Sequence, residues 1–465
     1  MPLNDPKDAI VEKMAGANLS QQLQQTFLRA VDLARGGDDG TIAESDLEPV
    51  DQLADIESIG DYRGAGTQAL GQTVMIKLNG GLGTSMGLDQ AKSLLPVKEG
   101  LTFLDVITKQ TSSLRSAYKS SLPLIFMNSF RTESDTLDKL RQNIEIAQGQ
   151  YELPFSFLQN KVPKLVASDF TPVTHHLDPS LEWCPPGHGD IYIALKQSGI
   201  LDELLNSNYT YAFVSNADNL GASLDINLLG YFATLDAPFL MEVADRTAAD
   251  KKGGHIALGK HNGRLLLREI AQTSKQDLDS FQDINRHKYF NTNSIWLNLQ
   301  ALNQVLHESA GIIPLPIIVN RKTVDPTDKQ STPVVQLESA MGAAIETFQH
   351  SAAIRVARNR FLPVKKTTDL LLLSSDLYSL DDSGVVNRTT DQKLPNIELD
   401  ESFFGNIDDY LTRIGTHPPS LIRCESLEIK GDVHVGRNVS FIGHVKLHAP
   451  PGETLTVTDN SVING

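Results

Sequence analysis

Residues 78–87 read LNGGLGTSMG and follow directly on the apolar run Val74-Met75-Ile76. A buried strand that runs into four glycines within ten residues limits the folds open to the chain. Glycine lets the backbone turn sharply and lets main-chain N–H groups approach a ligand without side-chain interference, so strand ends here must carry bare loops. Two familiar phosphate-binding patterns fail on this stretch. G-x-G-x-x-G would need a glycine at Met86 after Gly81 and Gly83, and Gly87 comes one place late. A mononucleotide P-loop would need a lysine at Leu88. The spacing therefore argues against a nicotinamide-dependent oxidoreductase and leaves the loop to be explained in another way.

From about residue 70 to 300 short apolar runs alternate with amphipathic stretches. Strands are predicted at Val74–Lys77, Pro123–Met127, Tyr211–Val214, Phe239–Val243 and Ser294–Leu297, and helices over 102–118, 133–147 and 190–206. This alternation predicts an α/β fold with a largely parallel sheet, in which ligands sit beyond the carboxyl ends of the strands. The places to look are then the glycine loop, Asn216-Ala217-Asp218 after one strand, and Asn291-Thr292-Asn293 before another. Upstream, apolar residues from Ile10 to Leu33 recur at helical spacing until Gly36-Gly37, which predicts a helical brace on the main domain. Downstream, Leu421, Leu427, Val433, Val439 and Val445 recur every six residues, as do Ile429, Val435, Phe441 and Leu447. Two interleaved six-residue series predict a parallel β-helix, with a plain antiparallel hairpin set as the alternative. An exposed end coil of such a helix suits stacking on a second copy, so a homo-oligomer is expected there.

A chain of 465 residues exceeds one ordinary core. Its division is expected at 1–60 (helical segment), 61–372 (catalytic domain) and 373–465 (linker and β-helix). A net charge of −16 repels nucleic acid and anionic membranes. No partner of either kind is expected, so a polyphosphate would have to be held by glycine backbone, a few lysines and a cation. Cys184 and Cys424 stand far apart, which suits a reducing cytoplasm better than a disulfide framework. No apolar stretch approaches the length of a membrane span.

The glycine loop, with Lys92 and the later Gly100-Leu101-Thr102-Phe103-Leu104-Asp105, resembles the nucleotide-binding signature of the eukaryotic-type UTP–glucose-1-phosphate uridylyltransferases (UDP-glucose pyrophosphorylases). Further segments resemble the same family in order: Pro123–Phe130, Trp183-Cys184-Pro185-Pro186-Gly187-His188-Gly189-Asp190, Phe213–Gly221, Gly253-Gly254, Glu269–Gln272, Phe290–Asn293, Gln336–Glu338 and Phe361-Leu362-Pro363-Val364-Lys365. This similarity is read from about residue 70 to the C-terminus. The commoner bacterial pyrophosphorylases carry an arginine in this loop where Ser85 stands, which places the chain with the eukaryotic-type branch. The resemblance implies a Rossmann-like nucleotidyltransferase with a mixed, mostly parallel sheet, an N-terminal helical segment and a C-terminal left-handed parallel β-helix.

The resemblance also implies the chemistry: UTP and glucose 1-phosphate give UDP-glucose and pyrophosphate. The attacking sugar phosphate is already an anion, so the reaction needs charge cancellation and alignment rather than a general base. Asp218 is expected to hold Mg²⁺, since one carboxylate with phosphate oxygens and waters makes a normal shell. Read alone, Asn216-Ala217-Asp218-Asn219 is better taken as a turn tied by side-chain-to-backbone bonds, and the metal reading leads only in the company of the other segments. Lys92 and Lys365 are the implied charge-cancelling pair, with Lys366 as the rival of Lys365. Leu78, Asn79, Gly80, Gly81, Gly83 and Thr84 are implied to line the nucleotide, Gln159 to read uracil and Gly187 to contact the nucleotide. His188, Asn216, Gly254, Glu269, Asn291 and Asn293 are implied to meet the sugar phosphate. A UDP-N-acetylhexosamine or broad UDP-sugar pyrophosphorylase shares this chemistry, and a non-catalytic scaffold would keep the loop while losing Asp218 or Lys365.

Overall fold

The structure is a computed structural model that describes residues 5–142, 153–326 and 328–465, apart from the Ser85 side chain. The chain divides into two compact units. One holds Met1–Ile76, Phe157–Val214 and Asp225–Ala357, and the other Lys77–Ser156, Ser215–Leu224 and Arg358–Gly465. The divisions after Ile76 and Val214 fall inside strands, Thr73–Asn79 and Tyr211–Asn216. The fold is mixed α/β with a mostly parallel central sheet, as the alternation predicts.

In the first unit the strand order runs Ala54–Asp55, Ala352–Arg355, Phe239–Asp245, Tyr289–Asn298, Tyr211–Asn216. The first three pair in parallel, and Tyr289–Asn298 runs antiparallel to both of its neighbours. That strand is longer than the sequence pattern predicts because Asn291-Thr292-Asn293 are not a loop before it. They form a bulge within it. Glu242 pairs with Ser294 and Val243 with Asn291, so Thr292 and Asn293 are left over. Asn293 takes the left-handed conformation that lets the strand resume (φ 58°).

The N-terminal helical run is two helices, Pro6–Gly16 and Gln21–Arg35. Asn18 breaks it with φ 57°, and Ser20 caps the second helix by accepting from the Leu23 N–H at 3.2 Å. Ile10, Met14, Leu23, Phe27 and Val31 are buried against Val162, Leu165, Cys184, Val335 and Leu337, so the amphipathic stripe is what docks these helices. The helix read over 190–206 is likewise two, Ile191–Gln197 and Ile200–Asn206, with Gly199 at φ 80° between them.

The second unit contains the ends of Thr73–Asn79 and Tyr211–Asn216, the buried strand Leu124–Asn128 and the helix Phe103–Tyr118. That helix starts on a capping box. Thr102 Oγ1 accepts from the Asp105 N–H, and Asp105 Oδ2 accepts from the Thr102 N–H, which accounts for Leu101-Thr102-Phe103-Leu104-Asp105 locally. The helix read over 133–147 is seen as Glu133–Arg141, and its remainder lies outside the described residues.

At the C-terminus, Asn396–Leu399, Ser420–Lys430, Ser440–His448 and Val462–Asn464 pair in parallel in that order, and Asp432–Val435 pairs in parallel with Thr454–Val457. Parallel pairing throughout excludes the antiparallel hairpin set. Every member of the two six-residue series is buried. Among the described residues no helix is long and apolar enough to cross a membrane.

Candidate functional site

The glycine loop sits in the second unit, and its glycines do different things. Gly83 and Gly87 take left-handed conformations (φ 65° and 72°) on either side of a short 3₁₀ turn, Thr84–Met86. A Cβ on Gly87 would lie 2.2 Å from the Asn406 side-chain nitrogen. Gly81 has an ordinary φ and open space where a Cβ would go, so the fold does not require glycine there. Gly87→Ala is therefore expected to cost about 1–3 kcal/mol and to lower the thermal midpoint, while Gly81→Ala leaves the midpoint unchanged. Equal midpoints in differential scanning calorimetry would refute the distinction.

Lys92 is placed against this loop by its own backbone. Its N–H donates to the Gly81 carbonyl at 3.2 Å, and its stem lies along Gly83. Its ammonium is 2.6 Å from Asp218 Oδ2, with both side chains mostly buried. Asp218 lies in the turn after Tyr211–Asn216, and the turn is tied to the loop strand by the Ala217 N–H, which donates to the Leu78 carbonyl at 3.0 Å. The Val364 N–H reaches the Asp218 carbonyl at 3.3 Å, which puts the segment before Lys365 on the same turn. Asp369 Oδ2 accepts from the backbone N–H groups of both Lys365 and Lys366 at 2.8 and 2.9 Å, fixing the start of helix Thr367–Ser374. Lys366 Nζ is 2.7 Å from Glu401 in an exposed pair. Asn79 spends both side-chain donors internally, on Asn128 Oδ1 and Thr136 Oγ1 at 2.8 Å each, and its carbonyl accepts from Thr132 Oγ1 at 2.8 Å, so its carboxamide has no N–H left to donate to a ligand. Leu78, Gly80, Thr84 and Asn216 belong to this unit too.

The remaining candidates lie in the first unit and form one connected set. Gln159 Nε2 donates to the Gly187 carbonyl at 2.7 Å, leaving its amide oxygen and second N–H for another partner. His188 Nδ1 accepts from the Met341 N–H at 3.0 Å, and burial pushes its pKa down to about 4. The next residue, Gly342, is packed so closely that a Cβ would meet Asn291 Nδ2 at 2.9 Å. Asn291 accepts from the Asn293 N–H at 2.9 Å, donates to the Asn293 side chain at 2.8 Å, and gives its own N–H to the Gly254 carbonyl at 2.9 Å. The Glu269 carboxylate lies against Gly254, where a Cβ would be 2.5 Å away. The bulge in Tyr289–Asn298 thus gathers Gly254, Glu269, Asn291 and Asn293 into one polar patch.

Three residues that sequence reasoning left unassigned support these sets. Lys77 is buried in its strand, and its ammonium donates to Ser215 Oγ at 2.7 Å and the Ala222 carbonyl at 2.8 Å, joining the glycine-loop strand to the Asp218 turn. A lysine inside an otherwise apolar run was the available signal. Asp190 accepts from the backbone and side chain of Asn160 at 2.7 and 2.9 Å, and burial nevertheless raises its pKa to about 6. The third, Asn219, binds the segment that leads to Lys365. His188 and Asp190 affect stability with opposite sign. His188 binds a proton more readily unfolded than folded, so its contribution is full above about 6.5 and is lost as pH falls toward about 4. Asp190 binds its proton more readily folded, so its burial costs stability above about 6, and that cost disappears as pH falls through the ordinary carboxylate range.

Among the described residues no group of three or more His, Cys, Asp or Glu is placed to hold a metal. Asp218 offers its carboxylate beside the Lys92 ammonium. That fits a hard cation taking most of its oxygens from phosphate and water, and does not fit a cation held in an all-protein cage.

A family model described as UTP–glucose-1-phosphate uridylyltransferase matches residues 24–441, beginning upstream of the motifs that carry the resemblance. Relatives of that description include proteins of Pyrus pyrifolia, 42% identical over 398 residues (85% of this chain, 81% of that one), and Solanum tuberosum, 38% identical over 478 residues (99% and 95%). Among solved structures, a point mutant of UDP-glucose pyrophosphorylase from Leishmania major in complex with UDP-glucose has a TM-score of 0.90 at 38% identity, over 99% of this chain and 98% of that one. UDP-glucose phosphorylase from Trypanosoma brucei has a TM-score of 0.87 at 42% identity, over 99% of each chain.

Proposed function

The chain belongs to the UTP–glucose-1-phosphate uridylyltransferase family, and from that premise we propose how its residues carry out the transfer of UMP from UTP to glucose 1-phosphate. A phosphate oxygen of the sugar phosphate attacks the α-phosphorus of UTP, the bond from that phosphorus to the bridging oxygen breaks, and pyrophosphate leaves with the electron pair. The observation that carries the reading is the Asp218 turn, which holds Lys92 by its carboxylate and the Lys365 segment by its carbonyl. Two charged groups of the sort a phosphoryl transfer needs, Lys92 and Asp218, meet on this turn, and the backbone that leads to Lys365 lies against it.

Leu78, Asn79, Gly80, Gly81, Gly83 and Thr84 cradle the nucleotide by backbone, which is why Gly81 is bare although the fold does not require it. Gln159, its amide oriented by Gly187, reads the imide edge of uracil. Lys92 leaves Asp218 for the UTP phosphates. Asp218 would hold Mg²⁺, which when bound would cancel phosphate charge. His188, Asn216, Gly254, Glu269, Asn291 and Asn293 receive the sugar phosphate. His188 acts as a hydrogen-bonding group and not a proton shuttle, since it is neutral throughout the physiological range. The pH dependence of kcat between 6 and 8 should accordingly keep its shape in His188→Asn while the rate falls; loss of an inflection in the mutant would count against this role.

The deciding assay is pyrophosphate release from UTP plus glucose 1-phosphate, with Mg²⁺ and with chelator. Release that needs both substrates and the cation supports the reading, and release equal in chelator removes the cation from it. The finer form of the fold belongs to the same proposal. It comprises a Rossmann-like core and, beyond residue 373, a left-handed hexapeptide β-helix whose end coil stacks on a second copy in the cytoplasm. Sedimentation of a chain ending at Gly415 should show a smaller assembly than the full chain, and the same assembly state would argue against that interface.

A further inference from the structure

We propose that Asn219 is a positioning residue for the transfer, pinning the segment that carries Lys365 onto the turn that carries Asp218. This rests on the reading of Lys365 and Asp218 given above. Asn219 is buried, and its carboxamide serves two backbone groups far along the chain. Nδ2 donates to the Arg360 carbonyl at 3.2 Å, and Oδ1 accepts from the Leu362 N–H at 2.8 Å. Between these bonds and Lys365 lies Pro363, paired with Asn219 as an isolated β-bridge. Proline has no N–H, so the backbone pairing cannot continue as an ordinary ladder, and the side chain supplies bonds that the ladder lacks. A carboxamide suits this place because it donates and accepts at once, whereas aspartate could meet only the N–H.

The surroundings are shaped for the same approach. A Cβ on Gly221 would come within 2.4 Å of the Asn359 carbonyl oxygen and 2.8 Å of the Arg360 carbonyl carbon. Arg360 Nη2 donates to the Ser223 carbonyl at 3.0 Å, and the Val364 N–H to that of Asp218 at 3.3 Å. Residues 359–364 therefore lie along 218–223, and Lys365 is the next residue out, its own N–H taken by Asp369. Asn219 faces protein on both bonds. It acts through Lys365, and its loss should affect the rate of the chemical step while leaving substrate affinity nearly intact, because misplacement of a charged group by an ångström is felt in the transition state first.

The test is a double-mutant cycle with steady-state kinetics and thermal midpoints. Asn219→Ala is expected to lower kcat by about 30- to 100-fold with KM for UTP and glucose 1-phosphate within about threefold. The double mutant Asn219→Ala/Lys365→Ala should be no slower than Lys365→Ala alone, to within about threefold. Arg360→Ala, which breaks the Ser223 contact from a partly exposed position, should lower kcat in the same direction, and it decides the matter should Asn219→Ala fail to fold. If Lys365→Ala is impaired while Asn219→Ala (or, in its place, Arg360→Ala) keeps wild-type kcat, the pin is wrong and the reading of Lys365 stands. Effects that multiply in the double mutant also overturn the pin. Wild-type kcat in Lys365→Ala itself overturns that reading and the pin together.

Discussion

Asp218→Asn is expected to lower kcat by about 10³-fold at saturating UTP and glucose 1-phosphate and a fixed Mg²⁺ concentration, about 4 kcal/mol of transition-state stabilisation. The amide has the shape of the carboxylate, so the turn through Asn216, Ala217 and Asn219 should survive and only the charge is removed. Two consequences of that removal oppose each other. Lys92, whose ammonium is 2.6 Å from Asp218 Oδ2, loses its counter-charge and becomes freer to bind the UTP phosphates. On the proposed reading, the cation would lose the carboxylate assigned to hold it. The first effect concerns a pair that is still partly solvated, and its magnitude is about 1 kcal/mol at most. The second, on that reading, would remove a group needed as charge builds on the leaving pyrophosphate, and it should be several-fold larger. The mutant should therefore show a collapsed kcat with a KM for UTP that does not rise, and higher Mg²⁺ should recover part of the loss. A kcat within about threefold of wild type would sink the assignment of Asp218.

Lys365→Ala and Lys366→Ala should behave unequally although the residues are neighbours of the same type. Lys366 has its ammonium 2.7 Å from Glu401 with both side chains well exposed, an arrangement that contributes little. Its removal should leave kcat within about twofold. Lys365 follows the stretch Arg360–Val364 that lies on the Asp218 turn, and Asp369 holds its backbone N–H. Its loss should cost about 10²- to 10³-fold in kcat, the scale associated with removing one preorganised cation from a phosphoryl transfer. Lys365→Arg should recover only part of this, since a planar guanidinium does not replace a compact ammonium. Equal, mild losses in the two alanine mutants would show that neither lysine has a special role.

Much of the architecture was legible locally. The strands at Val74, Pro123, Tyr211 and Phe239 were found within a few residues of their observed limits, because each is a short apolar run flanked by breakers. The helix Phe103–Tyr118 carries its own start signal in Thr102 and Asp105. Two breaks were missed, at Asn18 and at Gly199, where a single left-handed residue interrupts a run whose periodicity continues on either side. The bulge at Asn291–Asn293 was read as a loop for a related reason. A bulge is defined by the partner strand, and nothing in Phe290–Asn293 says that Glu242 and Val243 will skip two residues.

The candidate site divides in the same way. From sequence, the glycine loop, Lys92, Asp218, Lys365 and the Gly187-His188 turn can be named because each is a motif of adjacent residues. Contacts that join distant segments cannot be named so: Lys92 on Asp218, Val364 on Asp218, Lys77 on Ala222, Met341 on His188, and Asn219 on Arg360 and Leu362. The sequence by itself determined the alternating α/β pattern, the six-residue series of the C-terminal strands and which glycine-rich and polar loops are candidates for the chemistry, because periodicity and glycine placement are properties of neighbouring residues. Only the tertiary structure decided which glycines are required by the backbone and which are left bare. It also decided that Lys366 pairs with Glu401, and that one buried asparagine ties the segment before Lys365 to the turn that carries Asp218. Those are matters of closeness in space between residues far apart in the chain, and hydrogen-bond geometry at about 3 Å is fixed only once the sheet and its turns have packed.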